Sequence, residues 1–301
     1  MGNALRRGST PKGTWILLSL LLLVAVFACE QEEIAEENSA DHTPTEDQEE
    51  PIHPAFGLDE SSLATLLSDL PPSTAQRIME RRRPFLDLVE EMLTTPEELL
   101  LLVDKEHPLS REYEPEDLVS LGRYEQKLIL TRDDLSLRRL MMEELLEMVD
   151  AAASEGVDLP ISSTYRSYEY QERLFAYWVE ELGEEEALRS SARPGTSQHQ
   201  LGTTIDFGSI TDAFAATPGG RWLAENAWRY GFSLSYPEGY EEVTGYKYES
   251  WHYRYIGRAA AQMEQIFFGG IQQHLLEFWN DTRGAFAAAY RSRESLRRED
   301  E

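Results

Sequence analysis

The stretch Ser197-Gln198-His199-Gln200-Leu201-Gly202-Thr203-Thr204-Ile205-Asp206 decides how this chain is read. A loop containing Gly, Pro and Ser (190–202) leads into it, and a strand is predicted around Thr203–Phe207. His199 then lies on a loop, and Asp206 follows the Gly202 turn in a strand. A second piece, Glu249-Ser250-Trp251-His252, opens a strand predicted near Trp251–Tyr255. Together the two pieces offer two imidazoles and two carboxylates. Zinc takes N and O ligands in a tetrahedron, and catalytic sites keep one position for water. His199, Asp206 and His252 can supply three ligands. Glu249, three residues from His252, is placed to take a proton from an attacking water. Spacing alone leaves an alternative open, a solvated loop and a hydrogen-bonded core histidine. The remaining histidines, His42, His53, His107 and His274, read as structural or incidental.

Around these pieces the pattern alternates between helix and strand. Val157–Thr164 is predicted as a strand, and Ser167 caps a helix that runs to Leu182 and closes at Gly183. Thr217-Pro218 opens a helix ending at Gly231, and a strand follows near Phe232–Ser235. Upstream, Thr131 with Asp134 reads as a capping box. Leu137, Leu140, Met141, Leu145, Met148 and Ala152 repeat at helical spacing up to Gly156. Ser61 to about Leu102 is helical and broken at Pro71, Pro84 and Pro96. The tail is helical from Ile256 and charged after Arg291. Helices flanking several short strands give an α+β class.

The 301 residues carry 28 Lys and Arg against 55 Asp and Glu, a net charge of −27. Such a surface repels phosphate backbones and excludes nucleic acid as a partner. The single cysteine, Cys29, excludes an internal disulfide. Before it, Arg6, Arg7 and Lys12 precede an apolar run, Trp15–Phe27, in the layout of a secretory leader. Val26-Phe27-Ala28-Cys29 resembles a bacterial lipobox, which implies lipidation of Cys29 and a lipid-anchored place in the cell envelope. A cleaved leader without lipid and an uncleaved anchor are the alternatives. Residues 29–60 are acidic and proline-interrupted and are expected to form a disordered tether.

The pieces Ser197-x-His199-x-x-Gly202-x-x-x-Asp206 and Glu249-x-Trp251-His252 resemble the zinc motifs of the LAS metallopeptidases, and within them the VanY-type D-alanyl-D-alanine carboxypeptidases. Ser163-Thr164-Tyr165-Arg166-Ser167-Tyr168-x-x-Gln171 is similar to a third motif of that family. Asp104-Lys105-Glu106-His107-Pro108-Leu109, with Tyr113 and Pro115–Leu118, resembles its N-terminal strand region. Thr164, Thr204 and Ser250 stand where Gly, Ala and Pro are more usual. The resemblance implies a small, mostly antiparallel sheet flanked by helices, the LAS/hedgehog-like fold, with extra N-terminal helices. It implies one Zn2+ per chain on His199, Asp206 and His252, Glu249 as general base, and Arg166 on the oxyanion or a substrate carboxylate. Gln171, Ser197 and Trp251 would bind substrate.

The resulting organisation is a leader (1–28), a tether (29–60), a helical extension (61–96), a catalytic domain (97–270) and a helical, charged tail (271–301). The implied activity is hydrolysis of the terminal D-Ala-D-Ala bond of peptidoglycan stem peptides by a monomer. Rival readings are an L,D-carboxypeptidase, an endopeptidase on crosslinks, or a non-catalytic wall-binding lipoprotein. Serine-type routes find no support. The S-x-x-K sequence Ser9–Lys12 lies in the leader, and neither K-T-G nor G-x-S-x-G occurs.

Overall fold

A computed structural model describes residues 51–299, with side chains through residue 290. The leader, Cys29 and most of the expected tether lie outside the described residues. The described residues all fall in one compact unit, which takes in the segments expected as a helical extension (61–96) and a tail from residue 271. Among the described residues no helix is long and apolar enough to cross a membrane.

Three helices come first: α1 (Glu60–Leu66), α2 (Pro72–Glu80) and α3 (Arg82–Thr94). Asp59 caps α1 by accepting from the Ser62 N–H at 2.7 Å. The expectation of a tether up to residue 60 is corrected here. Phe56 is fully buried, edge-on to Phe286 and Tyr290, and the buried His53 ring contacts Asp87 at 2.9 Å. The apolar residues Ile52, Ala55, Phe56 and Leu58 supply the burial that the acidic stretch before them lacks.

The segment from Leu101 to Asp117 is irregular, where a strand region was expected, and β1 (Leu118–Ser120) begins only after it. It pairs with β2 (Ser136–Arg138), Val119 opposite Leu137. A strand thus occupies the start of the expected helix, and Thr131–Asp134 is no capping box. Arg132 instead chelates Asp134, with Nε and Nη2 each 2.5 Å from a carboxylate oxygen. Tertiary pairing overrides the helical spacing of Leu137, because Arg138 N–H donates to the Gly202 carbonyl and Ser136 N–H to Thr164 Oγ1. Helix α4 (Met142–Ser154) carries the rest of that pattern.

The main sheet has the order β3-β4-β6-β5, all antiparallel. Its first strand is β3 (Ile161–Ser163), followed in the chain by α5 (Tyr168–Leu182), α6 (Glu184–Ser190) and β4 (Thr204–Phe207). Then come α7 (Pro218–Asn226), β5 (Phe232–Leu234), the short α8 (Glu241–Thr244) and β6 (His252–Tyr255). Helices α9 (Arg258–Phe267) and α10 (Gln272–Glu299) close the chain. The expected caps hold: Ser167 Oγ accepts from Tyr170 N–H, Gly183 ends α5, and Thr217 caps α7.

Strand alternation gives this sheet two unlike faces. Ile205, Phe207, Phe232, Tyr253 and Tyr255 belong to the hydrophobic core. Thr204, Asp206, Ser233, His252 and Arg254 fall on the other face, which is polar yet buried. Register aligns them: Asp206 is opposite His252, and Ser163 is opposite Asp206 from the other side. A polar buried face is costly unless each group finds a partner. Arg254 meets part of that cost by donating to the Leu99 and Leu101 carbonyls at 3.0 and 2.8 Å.

Candidate metal centre

Each candidate ligand is delivered by a defined local structure. His199 lies in a 3-10 turn, Gln198–Leu201, which ends at Gly202 with φ +69°. A Cβ at Gly202 would stand 3.0 Å from Leu118 Cδ2, so both backbone and space call for glycine where the turn feeds β4. Glu249–His252 is a tight turn closed by His252 N–H donating to the Glu249 carbonyl at 3.1 Å. That turn folds Glu249 back beside the ring of His252.

His199, Asp206 and His252 are buried, and one ligand atom from each lies within 4.8 Å of the others. His199 Nδ1 donates to the Thr164 carbonyl at 2.6 Å, which leaves a lone pair on Nε2 facing the cluster. That Nε2 has no hydrogen-bond partner, and neither has Asp206 Oδ1. His199 Nε2 is 3.3 Å from Asp206 Oδ2, and His252 Nδ1 is 3.2 Å from Asp206 Oδ1. Two ligands of a tetrahedral ion bound at about 2.0–2.1 Å sit about 3.3 Å apart. Orphaned buried donor atoms at this separation fit a zinc-sized cation.

Electrostatics agree with that fit. Burial, and then the Arg166 guanidinium, push the His199 imidazole down to about 4, so the ring is neutral. Burial works to raise the Asp206 carboxyl, but the two imidazoles outweigh it and hold it well below the usual carboxylate range. Burial works to lower His252, and Asp206 and Glu249 together raise it. Two carboxylates converge on the His252 imidazole, and with the bare Nε2 of His199 they offer electron-pair donors to a cation.

The cluster opens into a cavity of about 1140 Å³. Glu249, Arg166, Ser197 and Trp251 line it along with the three ligands. Glu249 Oε2 lies 3.2 Å from His252 Nδ1. Arg166 donates to Ser163 Oγ at 3.2 Å, to Gln171 Oε1 at 3.0 Å and to Asp206 Oδ2 at 3.1 Å. Gln171, read from sequence as a substrate residue, differs. It is 1% exposed, does not line the cavity, and donates through Nε2 to the Ala192 carbonyl at 2.7 Å. Its position one turn into α5 makes it a brace for Arg166. His107 pairs with Asp104 at 2.8 Å, away from the cluster. The sequence reading missed the outer wall. Tyr170, Leu174, Trp178 and Leu182 of α5, spaced by four, line the cavity. None of the four is buried, which separates this stripe from a core stripe, and exposure is not written in a sequence.

A buried His–Asp–His cluster with a carboxylate at its side, opening into a deep cavity, is the donor set of a mononuclear metal hydrolase. Comparison with known proteins narrows that class. Residues 134–258 match the family model VanY: D-alanyl-D-alanine carboxypeptidase. The putative carboxypeptidase YodJ of Bacillus subtilis (strain 168) is 38% identical over 184 residues, covering 58% of this chain and 66% of that protein. The zinc-bound structure of the vancomycin-resistance D,D-pentapeptidase VanY from a VanB-type cassette, solved as a point mutant, is 31% identical with a TM-score of 0.50. The match covers 60% of this chain and 99% of that one. The LdcB LD-carboxypeptidase structure is 34% identical with a TM-score of 0.55, covering 60% of this chain and 86% of that one. The chain belongs to the VanY family. It spans 51% to 66% of the length of three curated relatives, from Bacillus subtilis and two enterococci.

Proposed function

We propose that this protein is a zinc-dependent carboxypeptidase that removes the terminal D-Ala from peptidoglycan stem peptides ending in D-Ala-D-Ala. The observation that carries the reading is Glu249 Oε2 held 3.2 Å from His252 Nδ1, beside buried ligand atoms that lack partners. A metal ligand set alone serves structure as well as catalysis, and a free carboxylate beside it serves catalysis. His199, Asp206 and His252 would hold the ion, which supplies Lewis acidity toward a carbonyl and an acidified water. Glu249 takes the proton of the attacking water and returns it to the leaving amine. Arg166 presents its fork to the cavity and stabilises negative charge on the substrate, either the developing oxyanion or the terminal carboxylate. Ser197 and Trp251 shape the wall beside the scissile bond.

The cavity exceeds the volume usual for a small ligand, which favours a substrate longer than a dipeptide. Within the same chemistry, an L,D-carboxypeptidase acting on tetrapeptide stems is the second reading. The similarity to LdcB supports it. Incubation with pentapeptide and tetrapeptide muropeptides separates the two. Release of D-Ala from the pentapeptide alone is the expected result, and release from the tetrapeptide alone transfers the assignment to L,D specificity. The basic start, the apolar run Trp15–Phe27 and Cys29 support export and lipid anchoring at the envelope, where such substrates lie.

A further inference from the structure

Behind His252, away from the cavity, lies a buried polar cluster that the proposed chemistry does not use. Gln198 comes from the 3-10 turn, Ser235 from just past β5, and Gln272 from the first residue of α10. None is more than 3% exposed. His252 Nε2 faces Gln198 Oε1 at 3.4 Å, and Ser235 Oγ donates to the same oxygen at 2.7 Å. Gln198 Nε2 donates to Gln272 Oε1 at 3.1 Å. Gln272 Nε2 donates to Ser235 Oγ at 3.2 Å and to the Ser233 carbonyl at 3.5 Å. Thr204 Oγ1 donates to the Gln198 carbonyl at 3.1 Å and holds the backbone beneath.

The ring of hydrogen bonds has a direction, and one atom sets it. The Ser233 carbonyl can only accept, so the amide nitrogen of Gln272 must face it. Gln272 then shows its oxygen to Gln198, which must answer with nitrogen. The oxygen of Gln198 is left for Ser235 and His252. An amide oxygen donates nothing, so the neutral His252 ring carries its proton on Nε2. Its Nδ1 lone pair is thereby turned toward Asp206 and Glu249.

We propose that Gln198 is a positioning residue for His252, and that Gln272 locks Gln198 so that the start of the C-terminal helix is part of the metal centre. The proposal rests on the reading that His252 is a metal ligand. Gln272 lies beyond the stretch that matches the VanY model, residues 134–258. Partners that orient ligating histidines typically change metal affinity about 10–100-fold when removed.

The test is zinc affinity of the full chain, measured by competition with a chromophoric chelator. It compares the parent with His252→Ala, Gln198→Leu, Gln198→Glu and Gln272→Leu, with thermal unfolding of each metal-free protein alongside. Gln198→Leu is expected to bind zinc about 10–100-fold more weakly, and Gln272→Leu to fall between it and the parent. Gln198→Glu is expected to restore the parent affinity, because a buried, protonated carboxyl reproduces the amide: its carbonyl oxygen accepts from Nε2–H and Ser235, and its hydroxyl donates to Gln272 Oε1. Parent-like affinity in Gln198→Leu, or affinity in Gln198→Glu as weak as in Gln198→Leu, overturns the proposal and leaves the metal site standing. If Gln198→Leu does not fold, Gln198→Glu and Gln272→Leu decide in the same way. Undiminished zinc binding in His252→Ala overturns the ligand reading itself, and the proposal with it.

Discussion

Arg166 Nη2 lies 3.1 Å from Asp206 Oδ2, although 40 residues of chain separate them. The guanidinium therefore touches a candidate metal ligand while it also lines the cavity. It neutralises part of the charge that would otherwise collect on Asp206, and under the proposed function the rest of its fork would meet the substrate. Replacing Arg166 by Ala should leave zinc bound and lower kcat about 10²–10³-fold, the cost typical of losing one oxyanion donor. Arg166→Lys should recover little, since an ammonium cannot reproduce a fork that bridges Ser163, Gln171 and Asp206. Steady-state kinetics with zinc content measured on the same samples checks this.

Glu249 and His252 sit 3.2 Å apart but should fail differently. Glu249→Ala should keep stoichiometric zinc and lose about 10²–10⁴-fold in turnover, the range for a positioned acid–base group. His252→Ala should lose both zinc and turnover. Elemental analysis of dialysed protein reads the difference. Full zinc retention in the His252 variant would contradict its place as a ligand.

Glu264 lies in α9 with a fully buried carboxyl. Burial pushes it up to about 8, against a smaller pull from Ser233. Between its ordinary value of 4.5 and about 8, the folded state keeps a proton that the unfolded state has lost. This residue alone therefore makes stability fall as pH rises through that window, and the loss levels off above it. Glu264→Gln removes the dependence. The stability difference between variant and parent should widen in favour of the variant by about 1.4 kcal/mol per pH unit across the window. Urea titrations from pH 5 to 9 measure it, and a difference that does not change with pH would count against a buried neutral acid.

Phe56 was expected in a disordered tether and is instead fully buried against Phe286 and Tyr290. Phe56→Ala should cost about 3–5 kcal/mol of stability. A chain starting at residue 61 should be similarly weakened, and one starting at residue 49 should not. Chemical denaturation of the three proteins distinguishes a packed segment from a tether.

The parts of the site legible in the sequence were those tied to short-range grammar. The Gly202 turn, the spacing of His199 and Asp206, the Glu249–His252 turn and the Ser167 cap all lie within ten residues of what they serve. The hidden parts depend on distant pairing. Gln198 meets Gln272 across 74 residues, and neither carries a local sign of the other. Leu137 kept a helical spacing and became a strand because Val119 paired with it. Gln171 stood in a substrate-like motif, yet Ala192 and Arg166 bury it. Residues 51–59 looked like the acidic stretch before them, and their apolar members found a core that only the fold supplies.

The central claim is that Glu249 works beside a metal held by His199, Asp206 and His252 to hydrolyse a stem-peptide terminus. The most direct test follows D-Ala released from a D-Ala-D-Ala-terminated pentapeptide before chelation, after chelation, and after zinc is returned, with Glu249→Ala run in parallel. The account predicts release that stops with the chelator, returns with zinc, and stays absent in the zinc-loaded Glu249 variant. Release that persists without metal, or in the Glu249 variant, would contradict it.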